Sequence, residues 1–232
     1  MKKDITKEEV IECIAGLWQS LTVEQKALLE QHITIQHYKK NETIYCEGEK
    51  PTHMACLLSG KVKIYKDGIG GRCQIIRVIK PVEYFAYRAY FAKEDYQTAG
   101  AAFEPSTICL IPLNILEQLI KENNNLAMFF ISELSTHLGA SDERTVSLTQ
   151  KHIRGRLAES LLFLKDSYGV EEDGYTLSIY LSREDLASLS NMTTSNAIRT
   201  LSIFASEKLI AIDGRKIKLI NEERLRKISR IG

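Results

Sequence analysis

Between residues 33 and 112 apolar side chains alternate with polar ones, or run together, over strand lengths. The segments ITIQHYKK, ETIYCEGE, MACLLSGKVKIYK, CQIIRVIK and STICLIP carry the pattern, and Gly48, Gly60, Gly68, Gly70 and Gly71 punctuate it. Short strands bounded by turn residues predict an antiparallel roll or sandwich. A helix is expected before them, around residues 7 to 32, with Leu17, Leu21 and Leu28 among its apolar positions. After Pro112 the period lengthens and predicts a long helix over about 113–149. Ala127, Ile131, Leu134, Leu138, Ser141, Thr145 and Leu148 step along it by four and three residues alternately, a heptad seam that weakens at Ser141 and Thr145. Phe130 belongs to a second stripe suited to packing on the roll, which leaves the seam for a second copy of the chain.

The stretch from Leu181 to Leu219 changes pattern again. Ser182 is placed to cap a helix, with Asp185 at the capping-box position and Leu186 and Leu189 on the buried side. Asn191 falls in a tight turn, where a left-handed residue is needed and Asn tolerates it. Thr193 is placed to cap a second helix, in which Ala197, Leu201 and Phe204 recur at helical spacing. Thr194, Ser195 and Arg199 then occupy its outer face near the N-terminal end, where a recognition helix meets the major groove. Asp213-Gly214 is a hairpin signal, and Arg215, Lys216 and Lys218 follow it. Helix, turn, helix and hairpin make the plan of a winged helix-turn-helix. The fold class expected is α+β: an N-terminal antiparallel jelly-roll with its long helix over residues 1–149, and a winged helix-turn-helix over 150–232.

Composition narrows this picture without redirecting it. A chain of 232 residues holds two compact domains, and no apolar run reaches the length of a membrane span. The N-terminus, MKKDITKEEV, lacks the apolar core of a secretory signal. Five irregularly spaced cysteines fit a reduced compartment better than a disulfide framework, so a cytoplasmic location is expected. Charge is divided unevenly. Residues 1–149 carry 17 basic against 19 acidic side chains, a net of −2, and residues 150–232 carry 14 against 11, a net of +3. The excess falls on the half that would meet phosphate. There is no His-x-His, nucleophile elbow, phosphate loop or HExxH, so neither catalysis nor a metal site is expected.

EGEKP at 47–51, LLSGKVKIY at 57–65, GRLAESLLFL at 155–164 and the helix-turn-helix occur in an order and spacing that resemble the Crp/Fnr family of bacterial transcription regulators, over roughly residues 20 to 228. The resemblance implies a homodimer on double-stranded promoter DNA, with RNA polymerase as a further partner and no membrane. It assigns Ser182 and Arg183 to the phosphate backbone, and Thr194, Ser195 and Arg199 to the bases. Thr193, Asn196 and the wing residue Lys216 complete the expected DNA-facing set.

Cyclic-nucleotide-binding members carry Gly-Glu and, some ten residues on, Arg followed by Ser or Thr. Here Ala86-Tyr87 and Gln97-Thr98 stand in those places. Gln cannot replace the charge of Arg on a phosphate, so cyclic AMP and cyclic GMP are not the expected effectors. Arg88, Thr98, Ser141 and Asp142 are the polar groups left near that pocket, whose effector is unknown or absent. Cys13, Cys46, Cys56, Cys73 and Cys109 form no iron–sulfur cluster pattern and read as small buried apolar residues. No cofactor is predicted, but a single axial ligand leaves no sequence pattern. A haem-based gas sensor therefore stays open, with His32, His37 and His53 as candidate ligands; His152 reads as a junction residue. The remaining alternative is a protein-interaction module with no specific DNA affinity.

Overall fold

The computed structural model describes residues 10–11, 14–68 and 71–231. The first turn of the expected N-terminal helix, Cys13 and Gly70 lie outside them. Two compact units are present, one comprising residues up to Asp67 together with Ile76–His137, the other Gly68–Ile75 together with Leu138 onward.

In the first unit the single helix expected before the roll is interrupted. Helices α1 (Ala15–Gln19) and α2 (Val23–His32) are separated at Ser20–Thr22, because Thr22 caps α2. Its hydroxyl accepts from the Gln25 N–H while the Gln25 side chain accepts from the Thr22 N–H, a reciprocal box that fixes a helix start. Eight strands follow: β1 (Thr34–Tyr38), β2 (Thr43–Tyr45), β3 (His53–Ser59), β4 (Val62–Asp67), β5 (Cys73–Ile79), β6 (Tyr84–Phe85), β7 (Ala99–Ala102) and β8 (Ser106–Pro112), with the short helix α3 (Arg88–Phe91) between β6 and β7. They form two four-stranded sheets, β1-β8-β3-β6 and β2-β7-β4-β5, and every pairing with a recorded register is antiparallel. Leu57, Val62, Ile64, Ile79 and Ile108 meet between the sheets, as alternation along each strand requires. The first sheet's other face carries Met54, Cys56, Cys109 and Ile111, and the helices pack there.

The predicted helix after Pro112 is also two helices, α4 (Leu113–Glu122) and α5 (Asn124–Gln150). Asn123 makes the break. Its side-chain oxygen accepts from the N–H groups of Asn125 and Leu126, while its amide donates to Ser20 O and Gln25 Oε1. Leu126 and Phe130 of α5 are buried in the first unit. Most of the heptad seam points elsewhere: Ile131, Leu138, Ser141 and Thr145 are exposed and Ala127 and Leu148 are partly so, while Leu134 packs against the first unit's core.

The second unit is built on α6 (Ile153–Tyr168), whose Leu157, Leu161 and Leu164 are buried. Helices α7 (Arg183–Leu189) and α8 (Thr194–Ser206) follow, then the hairpin β9 (Ile210–Asp213) and β10 (Lys216–Leu219), then α9 (Glu222–Ile231). Lys165 pairs with Glu222, and Arg226 bridges Asp166 and Glu222, so α6 and α9 are tied by charge as well as packing. Among the cysteines the apolar reading fits Cys56 and Cys109, which are buried. Cys46 is exposed and Cys73 half-buried, so those two are not core residues.

Candidate nucleic-acid interface

Both helices of the C-terminal motif begin where their caps dictate. The Ser182 hydroxyl accepts from the Asp185 N–H at 3.0 Å and donates to the Asp185 carboxylate at 2.7 Å. Thr193 accepts from the Asn196 N–H at 3.3 Å. Between the helices Asn191 takes φ +49°, the left-handed conformation that the tight turn needs. Ala197, Thr200, Leu201 and Phe204 are the buried positions of α8. Their spacing forces Thr194, Ser195, Ile198, Arg199 and Ser202 onto the opposite face, where all five are exposed. Thr193 is exposed at the helix start and Asn196 is half-buried.

Arg154 at the start of α6 holds α8 in place. It makes two 2.8 Å hydrogen bonds to the Glu207 carboxylate and stacks 5.1 Å above the Phe204 ring. This bidentate pair lowers the Glu207 pKa from its ordinary value. Ser190 donates to Ser160 at 2.9 Å in the interior, and Arg144 of α5 donates to the carbonyl oxygens of Ile75 and Leu189, at 2.7 and 3.0 Å. The turn between the helices is thus fixed from behind, which leaves the outer face of α8 free to present side chains.

The residues assigned to phosphate are engaged within the fold. The Ser182 hydroxyl proton is committed to Asp185. Arg183 donates through Nη2 to the Gly214 carbonyl at 2.7 Å, while its Nη1 is buried with no partner among the described residues. It therefore ties the start of α7 to the wing turn. That turn is the two-residue loop Gly214–Arg215, with Asp213 opposite Lys216 in the register. Gly214 at φ +56° supplies the positive φ that such a loop needs at its first position. Lys216 lies 3.6 Å from Glu171 and over the ring of Tyr180, and Lys218 lies 3.1 Å from Asp173. Asp173 also accepts from the Thr176 hydroxyl and from the N–H groups of Tyr175 and Thr176, which hold its carboxyl far below the usual range. In contrast, the guanidinium groups of Arg199 and Arg215 are exposed and have no hydrogen-bond or ion-pair partner among the described residues. Sequence reasoning placed Arg199 but passed over Ile198, although it lies one helical turn beyond Thr194 on the same face.

A cyclic nucleotide-binding domain model matches residues 35–123, and a Crp-like helix-turn-helix domain model matches residues 155–228. The chain belongs to the Crp/Fnr family. The global nitrogen regulator of Nostoc sp. is 26% identical over 186 residues, covering 79% of this chain and 83% of its own. The CRP-like cAMP-activated global transcriptional regulator of Mycobacterium tuberculosis is 22% identical over 217 residues, covering 93% and 97%. Among solved structures, FixK2 of Bradyrhizobium japonicum superposes with a TM-score of 0.76 at 23% identity, covering 84% of this chain and 96% of that one.

The roll also positions the residues that the resemblance set against a cyclic-nucleotide site. Ala86 has φ +64°, a conformation that favours glycine. Tyr87 is 2% exposed, and its ring packs edge-on against Phe130. Burial pushes its hydroxyl up to about 12. Tyr45 and Tyr96 stack at 4.2 Å; the first hydrogen-bonds to Thr98 and the second donates to the Ala86 carbonyl. Gly100 makes room for them, since a Cβ there would lie 2.5 Å from the Tyr45 ring. Ala86 and Thr98 are thus linked through two stacked tyrosines, of which Tyr96 is near both in sequence and Tyr45 lies 53 residues from Thr98. Gln97 is exposed, and its backbone carbonyl accepts from Lys66; Arg88 is exposed and paired with Glu94 at 3.3 Å. Ser141 and Asp142 are exposed on α5, in the second unit. His32, His37 and His53 are not grouped: each Nδ1 is hydrogen-bonded to a different neighbour, Leu28 O, Thr107 Oγ1 and Thr52 Oγ1. Gln97→Arg alone is therefore expected to leave cyclic AMP binding undetectable by calorimetric titration, because Tyr87 stays buried against Phe130 and supplies no carboxylate for a ribose hydroxyl. A micromolar dissociation constant in that variant would overturn this account of the pocket.

One titratable contact in the same unit sets a pH dependence. Arg77 of β5 donates to His137 of α5, with Nη2 3.1 Å from Nε2. Burial first, then the Arg77 charge, pushes the His137 pKa from 6.5 down to about 4. The unfolded chain takes up this proton before the folded one. The contribution is therefore complete above about pH 6.5 and is lost as pH falls towards 4. The ring is half exposed, so solvent screening keeps the loss below what the full shift implies. In urea titrations at pH 7.5 and 5.0, wild type is expected to lose more stability on acidification than His137→Gln. Equal losses would remove the contact as the cause.

Proposed function

We propose that the chain is a homodimeric regulator that reads a two-fold symmetric promoter site through Thr194, Ser195 and Arg199. Arg199 carries this reading. It is an exposed cation with no partner among the described residues, whereas Arg154, Arg183 and Arg226 are all spent on the protein's own carboxylates and carbonyls. A planar guanidinium suits bidentate hydrogen bonding to guanine O6 and N7. The two hydroxyls beside it accept or donate, which suits several bases and differs from an arginine–glutamate pair. Arg183 supports the interface indirectly by holding the wing, leaving Arg215 at the turn as the wing's unpaired cation.

The exposed seam of α5 supports dimerisation. Ile131 and Leu138 are 53% and 63% exposed on a helix whose other stripe is already buried. A paired seam spaces two recognition helices for successive turns of the duplex. Leu138→Glu is expected to convert a dimer to a monomer in sedimentation equilibrium with unchanged helical content. A mass equal to that of wild type would place the dimer contact elsewhere.

The effector, where one operates, is not a cyclic nucleotide, and it acts by favouring one arrangement of the two recognition helices. RNA polymerase is a further partner in this reading, in the cytoplasm. Selection of genomic DNA fragments by the purified protein at physiological salt tests the whole reading. Enrichment of a two-fold symmetric motif supports it. No enrichment with protein isolated directly from its native cells would overturn it.

A further inference from the structure

Towards its N-terminal end, the outer face of α8 presents an exposed side chain that neither donates nor accepts. Ile198 is 48% exposed and lies among Thr194, Ser195, Arg199 and Ser202. The core of the motif is complete without it, since Ala197, Thr200, Leu201 and Phe204 fill the buried side. Its neighbours one turn away, Thr194, Ser195 and Ser202, are all short, so the branched side chain stands clear of the surface. Ile203 is exposed too, but lies towards the C-terminal end, away from the end of a recognition helix that contacts base edges.

Resting on the DNA-reading function proposed above, we infer that Ile198 determines specificity by packing against the C5-methyl group of a thymine. The base edges of the major groove offer hydrogen-bonding atoms at every pair and one apolar group, the thymine methyl. An isoleucine pressed against guanine O6, adenine N6 or cytosine N4 would strip water from a polar atom and return nothing. Against a methyl it removes apolar surface from water on both sides. Arg199 and Ile198 are adjacent in sequence and share the face, so a guanine and a thymine are read close together. The sequence preference of this protein then contains a thymine that no hydrogen bond from Thr194 or Ser195 explains.

Deoxyuridine tests this directly, because it pairs as thymine does and lacks only the methyl. A motif is first obtained with the full chain from random duplexes. Each thymine is then replaced in turn by deoxyuridine, and wild type is titrated beside Ile198→Ser and Ile198→Ala. Both substitutions are at an exposed position, and unchanged melting temperatures confirm the fold. Loss of one methyl contact corresponds to about fourfold in affinity per half-site at ~0.8 kcal/mol, and about fifteenfold when both half-sites are changed. The expected result is one thymine per half-site at which deoxyuridine weakens wild type by that factor and leaves both variants unaffected. If wild type tolerates deoxyuridine everywhere, or the variants lose as much as wild type, Ile198 reads no methyl. If no motif emerges at all, the DNA-reading function itself fails and takes this assignment with it.

Discussion

Phe204→Ala is expected to destabilise the C-terminal unit by about 3–5 kcal/mol, the cost of emptying a well-packed aromatic site. Its side chain is 0% exposed and is among the largest fully buried ones in the protein. The ring also receives the Arg154 guanidinium, which is anchored to Glu207 just beyond the end of α8. Truncation removes the surface on which α8 sits and loosens the pair that fixes its C-terminal end. Whole domains are stable by only about 5–15 kcal/mol, so a large part of the margin of a unit of about 100 residues would go. Differential scanning calorimetry checks this against Phe163→Ala on α6, at 39% exposure, which should cost far less. Equal shifts in the two variants would mean that Phe204 does not hold the motif together.

That core was legible in the sequence because every signal for it is local. Ser182 with Asp185, Thr193 with Asn196, and Asn191 in the turn act within three residues of themselves. Ala197, Leu201 and Phe204 declare their face by period alone. The strand runs β3, β5 and β8 were visible for the same reason, as continuous apolar or alternating segments. Strand β7, Ala99–Ala102, was not visible, since its sequence AGAA has no strand propensity. It is a strand because small residues there admit the Tyr45 ring, a contact made 55 residues away. The break at Asn123 was hidden by an apolar period that continues through it. Thr22-x-x-Gln25, by contrast, was a readable capping box inside the expected first helix.

The candidate site divides along the same line. Which residues of α8 face outward follows from the helical period, so Thr194, Ser195 and Arg199 were placed correctly on the exposed face. Which cations remain available does not follow from any local pattern. Arg183 reaches Gly214 across 31 residues, and Lys216 and Lys218 meet Glu171 and Asp173 only because Thr176 and Leu177 bridge to β10 and to Val170. Ion pairs of this kind are settled by register and loop geometry. The tyrosines of the roll are a similar case. That the sequence lacks a Gly-Glu and an Arg-Ser pair was evident, whereas the stacking of Tyr45 on Tyr96 was not.

Arg199→Ala is accordingly expected to weaken specific binding by about 1–3 kcal/mol per half-site and to relax the preference at one base position. The expectation depends on Arg199 contacting a base edge, and salt titration distinguishes that from a phosphate contact. A lost phosphate contact lowers the slope of log affinity against log salt by about one for each contact and weakens unrelated sequences equally. A lost base contact leaves the slope nearly unchanged and spares non-specific binding. Arg199→Lys sharpens the distinction, because lysine keeps the charge and loses the planar fork. It should retain non-specific affinity while losing most of the discrimination at that base. Full discrimination in the lysine variant would mean that charge alone suffices there, and the bidentate assignment would fall.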